Sequence, residues 1–151
     1  MDRRRFLAGT AATAAVVVVL PLAPASATPD SMAEAIKKVV GNATPTEARV
    51  KLDVPPLVEN GNSVSLTVSV DSPMTEADHV RAIHVFNEKN PQPNVFSARL
   101  GPRNGKAIVG TRIKLGDSQR IIAIAETSDG KFWSAGADVI VTLAACLEEA
   151  T

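Results

Sequence analysis

The side chain best suited to covalent chemistry is Cys146, the single cysteine of a 151-residue chain. A solitary thiol cannot close an internal disulfide, build a Cys-rich zinc site or hold an iron–sulfur cluster of the all-thiolate type. An ordinary cysteine thiol titrates near pH 8.5, so only about 3% of it is thiolate at pH 7. The adjacent Glu148 and Glu149 disfavour the anion further. The sequence therefore predicts that Cys146 is a handle for covalent attachment, activated inside partner enzymes, and not a catalytic nucleophile.

No other group of residues in the sequence predicts catalysis or a metal site. His79 and His84 lie on or beside one predicted strand, where an odd spacing sends side chains to opposite faces, so we do not expect them to share a metal. The sequence lacks the Gly-x-Ser-x-Gly turn of serine hydrolases and a glycine-rich loop that cradles phosphate. We therefore expect no catalytic residue, no bound metal and no cofactor apart from what Cys146 carries.

The overall composition is that of one soluble globular domain. Hydrophobic residues make up 45% of the chain and charged residues 21%, which are ordinary values for a folded domain of this length. Sixteen basic residues balance sixteen acidic residues. A net charge of zero gives no electrostatic footprint for nucleic acid, so a nucleic-acid partner is not expected.

Residues 1–27 have the features of an export leader. Arg3-Arg4-Arg5 precede Phe6-Leu7, which fits the twin-arginine pattern, and an uncharged run leads to Ala25-Ser26-Ala27, a small-x-small pattern that signal peptidase accepts. A membrane anchor is the alternative, but the many small residues make the run weakly apolar. We predict cleavage after Ala27, export to the periplasm by the twin-arginine route and no stable membrane insertion of the mature chain. An unpaired thiol in that oxidising compartment tends to become joined to something, for example through an intermolecular disulfide at Cys146.

Hydrophobic periodicity predicts one short helix followed by strands. Apolar residues recur at helical spacing in residues 30–40, and later segments alternate apolar and polar residues as half-buried strands do. Asn60-Gly61 predicts a hairpin between the first two strands, and Pro91 and Pro93 mark a rigid extended loop. The seven predicted strands cover residues 50–54, 64–70, 80–86, 95–100, 106–115, 119–127 and 132–143.

These elements predict a mainly β fold, an immunoglobulin-like antiparallel β-sandwich with one short N-terminal helix and a C-terminal arm. The helix and sandwich form a carrier domain over residues 28–143, and the arm that bears Cys146 spans residues 144–151. If the arm leaves the sheet at Thr142, four extended residues carry the sulfur about 13 Å beyond the body, at roughly 3.3–3.6 Å for each residue.

Five segments of the chain, in this order, closely resemble the corresponding segments of one known family: residues 54–64, 70–74, 90–93, 111–115 and 123–130. That family is SoxY, the sulfur-carrier subunit of the periplasmic sulfur-oxidising (Sox) system. The resemblance implies an immunoglobulin-like sandwich that forms a heterodimer with SoxZ, a second β-sandwich protein. It also implies that Cys146 covalently carries thiosulfate-derived sulfur.

The resemblance further implies that the chain is not itself an enzyme. Its transient partners would be a c-type cytochrome pair that couples the sulfur oxidatively, a manganese hydrolase that releases sulfate, and a sulfane dehydrogenase. The carrier arm departs from the family pattern Gly-Gly-Cys-Gly-Gly, because its four glycine positions are occupied by Ala144, Ala145, Leu147 and Glu148. Alanine and leucine are conformationally more confined than glycine, so we expect a stiffer arm.

Two alternatives from other classes follow from the same residues. A blue-copper electron carrier needs two histidines, a cysteine and a weak axial ligand, but nothing after Cys146 can bind copper. A structural or adaptor subunit would instead pack Cys146 at the end of a strand or link it to another subunit, since free cysteine is often buried.

Overall fold

The computed structural model describes residues 27–145. The predicted leader, Ala27 apart, lies outside the described residues, and so do Cys146 and Leu147 of the predicted arm. Within residues 27–145, no helix is both long and apolar enough to cross a membrane.

One α-helix and eight strands make up the described chain. The helix and all seven predicted strands are present, so the prediction of a mainly β fold with one short helix is confirmed. Pro91 and Pro93 lie in the connection between the fourth and fifth strands, as predicted. The elements are α1 (Pro29–Val40), β1 (Val50–Asp53), β2 (Leu57–Asn60), β3 (Val64–Val70), β4 (Val80–Asn87), β5 (Asn94–Arg99), β6 (Ala107–Ile113), β7 (Gln119–Thr127) and β8 (Phe132–Leu143), with a 3₁₀ turn at Pro102–Asn104 between β5 and β6.

The strands form two sheets that face each other across one core. The three-stranded sheet has the order β1-β3-β6, and the five-stranded sheet has the order β2-β8-β7-β4-β5. Every pairing between these strands is antiparallel except that of β2 with β8, which is parallel. The arrangement is the predicted sandwich with one strand, β2, added at an edge.

The predicted hairpin at Asn60-Gly61 was wrong. β1 and β3 are antiparallel neighbours, with Val50 opposite Val70, but the chain between them crosses to the other sheet. Pro55 and Pro56 end the first strand because proline has no N–H for the ladder. The carbonyl of Pro56 then accepts a hydrogen bond from the Ile140 N–H at 2.9 Å. The chain is thereby guided onto the free edge of β8, and Gly61 follows β2 on the way back to β3.

The core is built by the alternation that predicted the strands. In β3 every second residue is buried, from Val64 to Val70, and these side chains pack against Ile83, Val85 and Ile121 of the five-stranded sheet. Burying one such aliphatic side chain contributes about 1.5–3 kcal/mol to folding. The sandwich is therefore held together mainly by the apolar faces of its two sheets.

The helix packs on the outer face of the five-stranded sheet. Met32 and Val40 of α1 form a second buried cluster with Phe86 of β4 and Ile124 of β7. Thr28 caps the helix, because its hydroxyl accepts a hydrogen bond from the Ser31 N–H at 3.1 Å. Satisfying free N–H groups at a helix start in this way stabilises the helix by about 1 kcal/mol. The predicted cleavage site after Ala27 thus lies directly before the N-cap.

Candidate carrier arm and its root

The structure describes the first two residues of the predicted carrier arm, Ala144 and Ala145. β8 continues to Leu143, and the Ala145 N–H still donates a hydrogen bond to the carbonyl of Leu115 at 2.9 Å. Ala144 is exposed and Ala145 is half-buried. The chain therefore remains attached to the sandwich through Ala145, three residues beyond the departure point at Thr142 that the longer reach assumed. Cys146 itself lies outside the described residues.

Gly61 joins this attachment point to the rest of the fold. Its N–H donates to the Leu143 carbonyl at 2.7 Å, and its carbonyl accepts from the Leu115 N–H at 2.9 Å. We call this set of main-chain bonds among Gly61, Leu115, Leu143 and Ala145 the arm root. The sequence pattern gives no sign of it beyond the glycine after Asn60, a pair that is typical of a hairpin.

Leu115 is held firmly on both sides. Its own side chain is fully buried. The Asn90 side chain donates through Nδ2 to the Lys114 carbonyl at 2.7 Å and accepts at Oδ1 from the Gly116 N–H at 3.1 Å. Gln119 donates to the same Asn90 oxygen at 3.1 Å. The loop that carries Pro91 and Pro93 thus fixes the segment that supplies both a donor and an acceptor to the arm root.

One ion pair lies on the surface near this end of the sandwich. Lys89 Nζ lies 2.9 Å from Asp117 Oδ2. The hydrogen bond from Lys89 lowers the pKa of the Asp117 carboxyl, and the Ser118 N–H lowers it further. Both side chains are exposed, so we expect the pair to contribute little to stability.

Exposed apolar side chains lie on the strands that lead to the arm root. Leu57 of β2 and Ile140 of β8 are register partners, with 58% and 59% of their surfaces exposed. Leu143, the last residue of β8, is exposed to the same extent at 59%. Neighbouring exposed apolar residues on an edge are a feature of surfaces that meet other proteins.

The two histidines have separate partners. His79 Nδ1 lies 3.0 Å from the Thr75 carbonyl oxygen, and His84 Nδ1 lies 2.7 Å from Ser97 Oγ. Burial lowers the pKa of His84, although Glu126 acts in the opposite direction. His84 lines an open cleft of about 530 Å³ that also includes Arg99. Among residues 27–145, no three histidine, cysteine or acidic side chains come close enough together to hold a metal ion.

Comparison with known proteins identifies the family. Residues 36–146 match the family model described as sulfur oxidation protein SoxY, and the match extends to Cys146. The chain is also similar to the solved structure of the sulfur carrier protein SoxY from Chlorobium limicola f thiosulfatophilum, with 25% identity and a TM-score of 0.63 over 76% of this chain and 98% of that one. No curated protein matches the chain.

A second group of structures shares the fold alone. A superoxide reductase (neelaredoxin) from Ignicoccus hospitalis is 23% identical with a TM-score of 0.56, over 76% of this chain and 94% of that one. A superoxide reductase from Nanoarchaeum equitans is 14% identical with a TM-score of 0.53, over 63% and 98% of the two chains. The family match covers more than two-thirds of the sequence, and by that match the chain belongs to the SoxY family of sulfur carrier proteins.

Proposed function

We propose that this protein is a periplasmic sulfur carrier that holds thiosulfate-derived sulfur covalently on Cys146 and presents it to partner enzymes. The observation that carries the proposal is that the family match ends at Cys146, directly after a residue that the fold anchors. The residue before the cysteine, Ala145, is thus attached to the sandwich. The chain itself catalyses none of the steps, and its cargo is the covalent adduct on Cys146.

The proposed loading step is an oxidative coupling. The Cys146 thiol loses its proton, its sulfur forms a disulfide bond with the outer sulfur of thiosulfate, and two electrons pass to the cytochrome pair. Hydrolysis by the manganese hydrolase then cleaves the bond between that outer sulfur and the sulfonate. Water supplies the oxygen of the released sulfate, and a persulfide stays on Cys146 for the sulfane dehydrogenase. Each step uses an external catalyst, which agrees with a thiol that has no basic neighbour in sequence.

The anchored arm root limits how far the cargo can travel. Consecutive Cα atoms are about 3.8 Å apart, so covalent geometry keeps the Cα of residue 146 within that distance of the Ala145 Cα. We propose that partner enzymes approach the end of the sandwich closely instead of receiving a long arm. The exposed pair Leu57 and Ile140 supports a stable contact with the proposed SoxZ-like subunit on the adjacent edge.

Intact mass of the protein recovered from its host tests the carrier role. In cells grown with thiosulfate we expect mass additions corresponding to sulfur and thiosulfonate groups on Cys146. The Cys146→Ser variant should lack all of them. Iodoacetamide should alkylate Cys146 in the native protein, whereas a cysteine that is packed in an adaptor subunit should resist it. A single unmodified mass with and without thiosulfate, together with an inaccessible thiol, would refute the proposal in favour of an adaptor subunit.

A further inference from the structure

Gly61 lies where the connection between β2 and β3 meets the base of the arm. Its N–H and carbonyl both bond within the arm root, to Leu143 and Leu115 respectively. Leu115 in turn accepts from the Ala145 N–H. Gly61 is therefore hydrogen-bonded directly to Leu143, the last residue of β8. It is also linked to Ala145 through Leu115, which is hydrogen-bonded to both residues.

The structure leaves no room for a side chain at this position. Gly61 is buried. A Cβ on it would overlap the carbonyl oxygen of Leu115 and would lie 3.0 Å from the Ala145 nitrogen and 3.1 Å from the Leu143 oxygen. All three atoms belong to the main chain, so none of them can move aside by a rotamer change. Gly61 does not have a positive φ, so the demand for glycine here is one of space and not of backbone conformation.

We infer that Gly61 is a positioning residue for the carrier cysteine. Only a residue without a Cβ allows the hydrogen bonds of the arm root to form, and these bonds fix the position of Ala145, to which Cys146 is attached. The inference rests on the proposed carrier function and deepens it. Gly61 acts through Ala145 and touches no cargo. Its loss should therefore change where Cys146 is held and leave the chemistry of the thiol intact.

The test substitution is Gly61→Ala, with Gly101→Ala as the matched control. A Cβ at Gly101 meets nothing within 4 Å, and its backbone is extended, so the control adds the same methyl group without a clash. Amide hydrogen exchange should show that Ala145 loses protection by about tenfold in Gly61→Ala, the effect of one lost main-chain hydrogen bond. Gly101→Ala should match the wild-type protein.

Two readouts on Cys146 distinguish positioning from a general structural defect. In Gly61→Ala we expect iodoacetamide to alkylate the thiol at least as fast as in the wild-type protein, because the thiol chemistry is unchanged. The fraction of chains loaded in thiosulfate-grown cells should nevertheless fall by about tenfold, since loading needs the partner enzyme to find the thiol in place. A globally unfolded variant would instead lose exchange protection throughout the core.

A second variant keeps the test decisive if Gly61→Ala does not fold. Ala145→Pro removes the N–H that bonds to Leu115 and leaves residue 61 a glycine. It should reproduce the loss of loading with a protected core. Wild-type loading in either folded variant, or unchanged exchange at Ala145 in Gly61→Ala, would overturn the inference. An absence of adducts in the wild-type protein would instead overturn the carrier function, while the exchange data would still report on the arm root.

Discussion

Asn87, the last residue of β4, gives a stability prediction with an unusual sign. Its side chain is fully buried, and among residues 27–145 neither its Nδ2 nor its Oδ1 has a hydrogen-bond partner. It lies opposite Ile121 in the register of β4 and β7, and cross-strand partners share one face of a sheet, so the amide points into the core with that isoleucine. An unpaired buried amide costs about 1–3 kcal/mol. Leucine has a similar shape without the polar atoms.

We therefore expect Asn87→Leu to raise the free energy of unfolding by about 2 kcal/mol, which corresponds to roughly 4–8 °C in Tm for a domain of this size. The main-chain bond from the Asn87 N–H to the Pro93 carbonyl, 2.9 Å long, is unaffected by the change. Urea unfolding at constant m-value measures the difference. Asn87→Ala is the control, because it removes the same amide but leaves a cavity and should be about 2–5 kcal/mol less stable than the leucine variant.

The reasoning fails if Asn87→Leu is less stable than the wild-type protein by more than about 1 kcal/mol at an unchanged m-value. That result would mean that the amide is hydrogen-bonded in the folded protein, by water or by a group beyond residues 27–145. Breaking such a bond would leave the other partner buried and unpaired, which explains the reversed sign.

Two further predictions concern the outer face of the five-stranded sheet. Phe86→Ala should lower the free energy of unfolding in urea by about 3–5 kcal/mol, because Phe86 is fully buried between α1 and Ile124; a loss below about 1 kcal/mol would show that helix docking is uncoupled from folding. Burial lowers the pKa of His84 in the folded state, with Arg99 acting in the same direction and Glu126 against it. The unfolded chain therefore binds the proton first as the pH falls below about 6.5, so stability should be full above that pH and decline from there through the lowered pKa. Urea midpoints between pH 7.5 and 5 should show this decline in the wild-type protein and a smaller one in His84→Gln; equal declines would contradict it.

The sequence predicts a strand most clearly where side chains alternate between core and solvent. β3 alternates over its whole length, and its apolar face alone identifies it. β2 was missed because Leu57–Asn60 has one buried residue in four and is bounded by Pro56 and Gly61. Its existence depends on a parallel pairing with β8, more than eighty residues further along the chain. No local sequence pattern indicates a pairing over that distance. Because β2 was not predicted, Asn60-Gly61 resembled the turn of a hairpin between its neighbouring strands.

The candidate site divides in the same way. Cys146 was singled out from residue type and position, as an unpaired thiol behind a predicted export leader; it lies outside the described residues, so its role stays a prediction. The arm root could not be predicted, because its hydrogen bonds join main-chain atoms of Gly61, Leu115, Leu143 and Ala145. Main-chain bonds leave almost no trace in residue type. Gly61 is the exception, because its residue type is visible in the sequence. Only the three-dimensional contacts show that there is no room for a Cβ at this position.

The hydrogen bonds of the arm root involve residues next to both sheets. This attachment offers a physical reason why the arm has alanine in place of glycine. Leu143 ends β8 of the five-stranded sheet, Leu115 follows β6 of the three-stranded sheet, and Gly61 lies where the chain passes from one sheet to the other. A free tail would lose about 1–2 kcal/mol of conformational entropy for each residue that becomes ordered in a complex. Bonding the chain to the body as far as Ala145 transfers that loss for two residues to the folding step. Alanine in place of glycine at 144 and 145 acts in the same direction, because alanine has fewer backbone conformations to lose. The departure from the glycine pattern that the resemblance implied therefore agrees with an arm whose first two residues are already ordered on the sandwich.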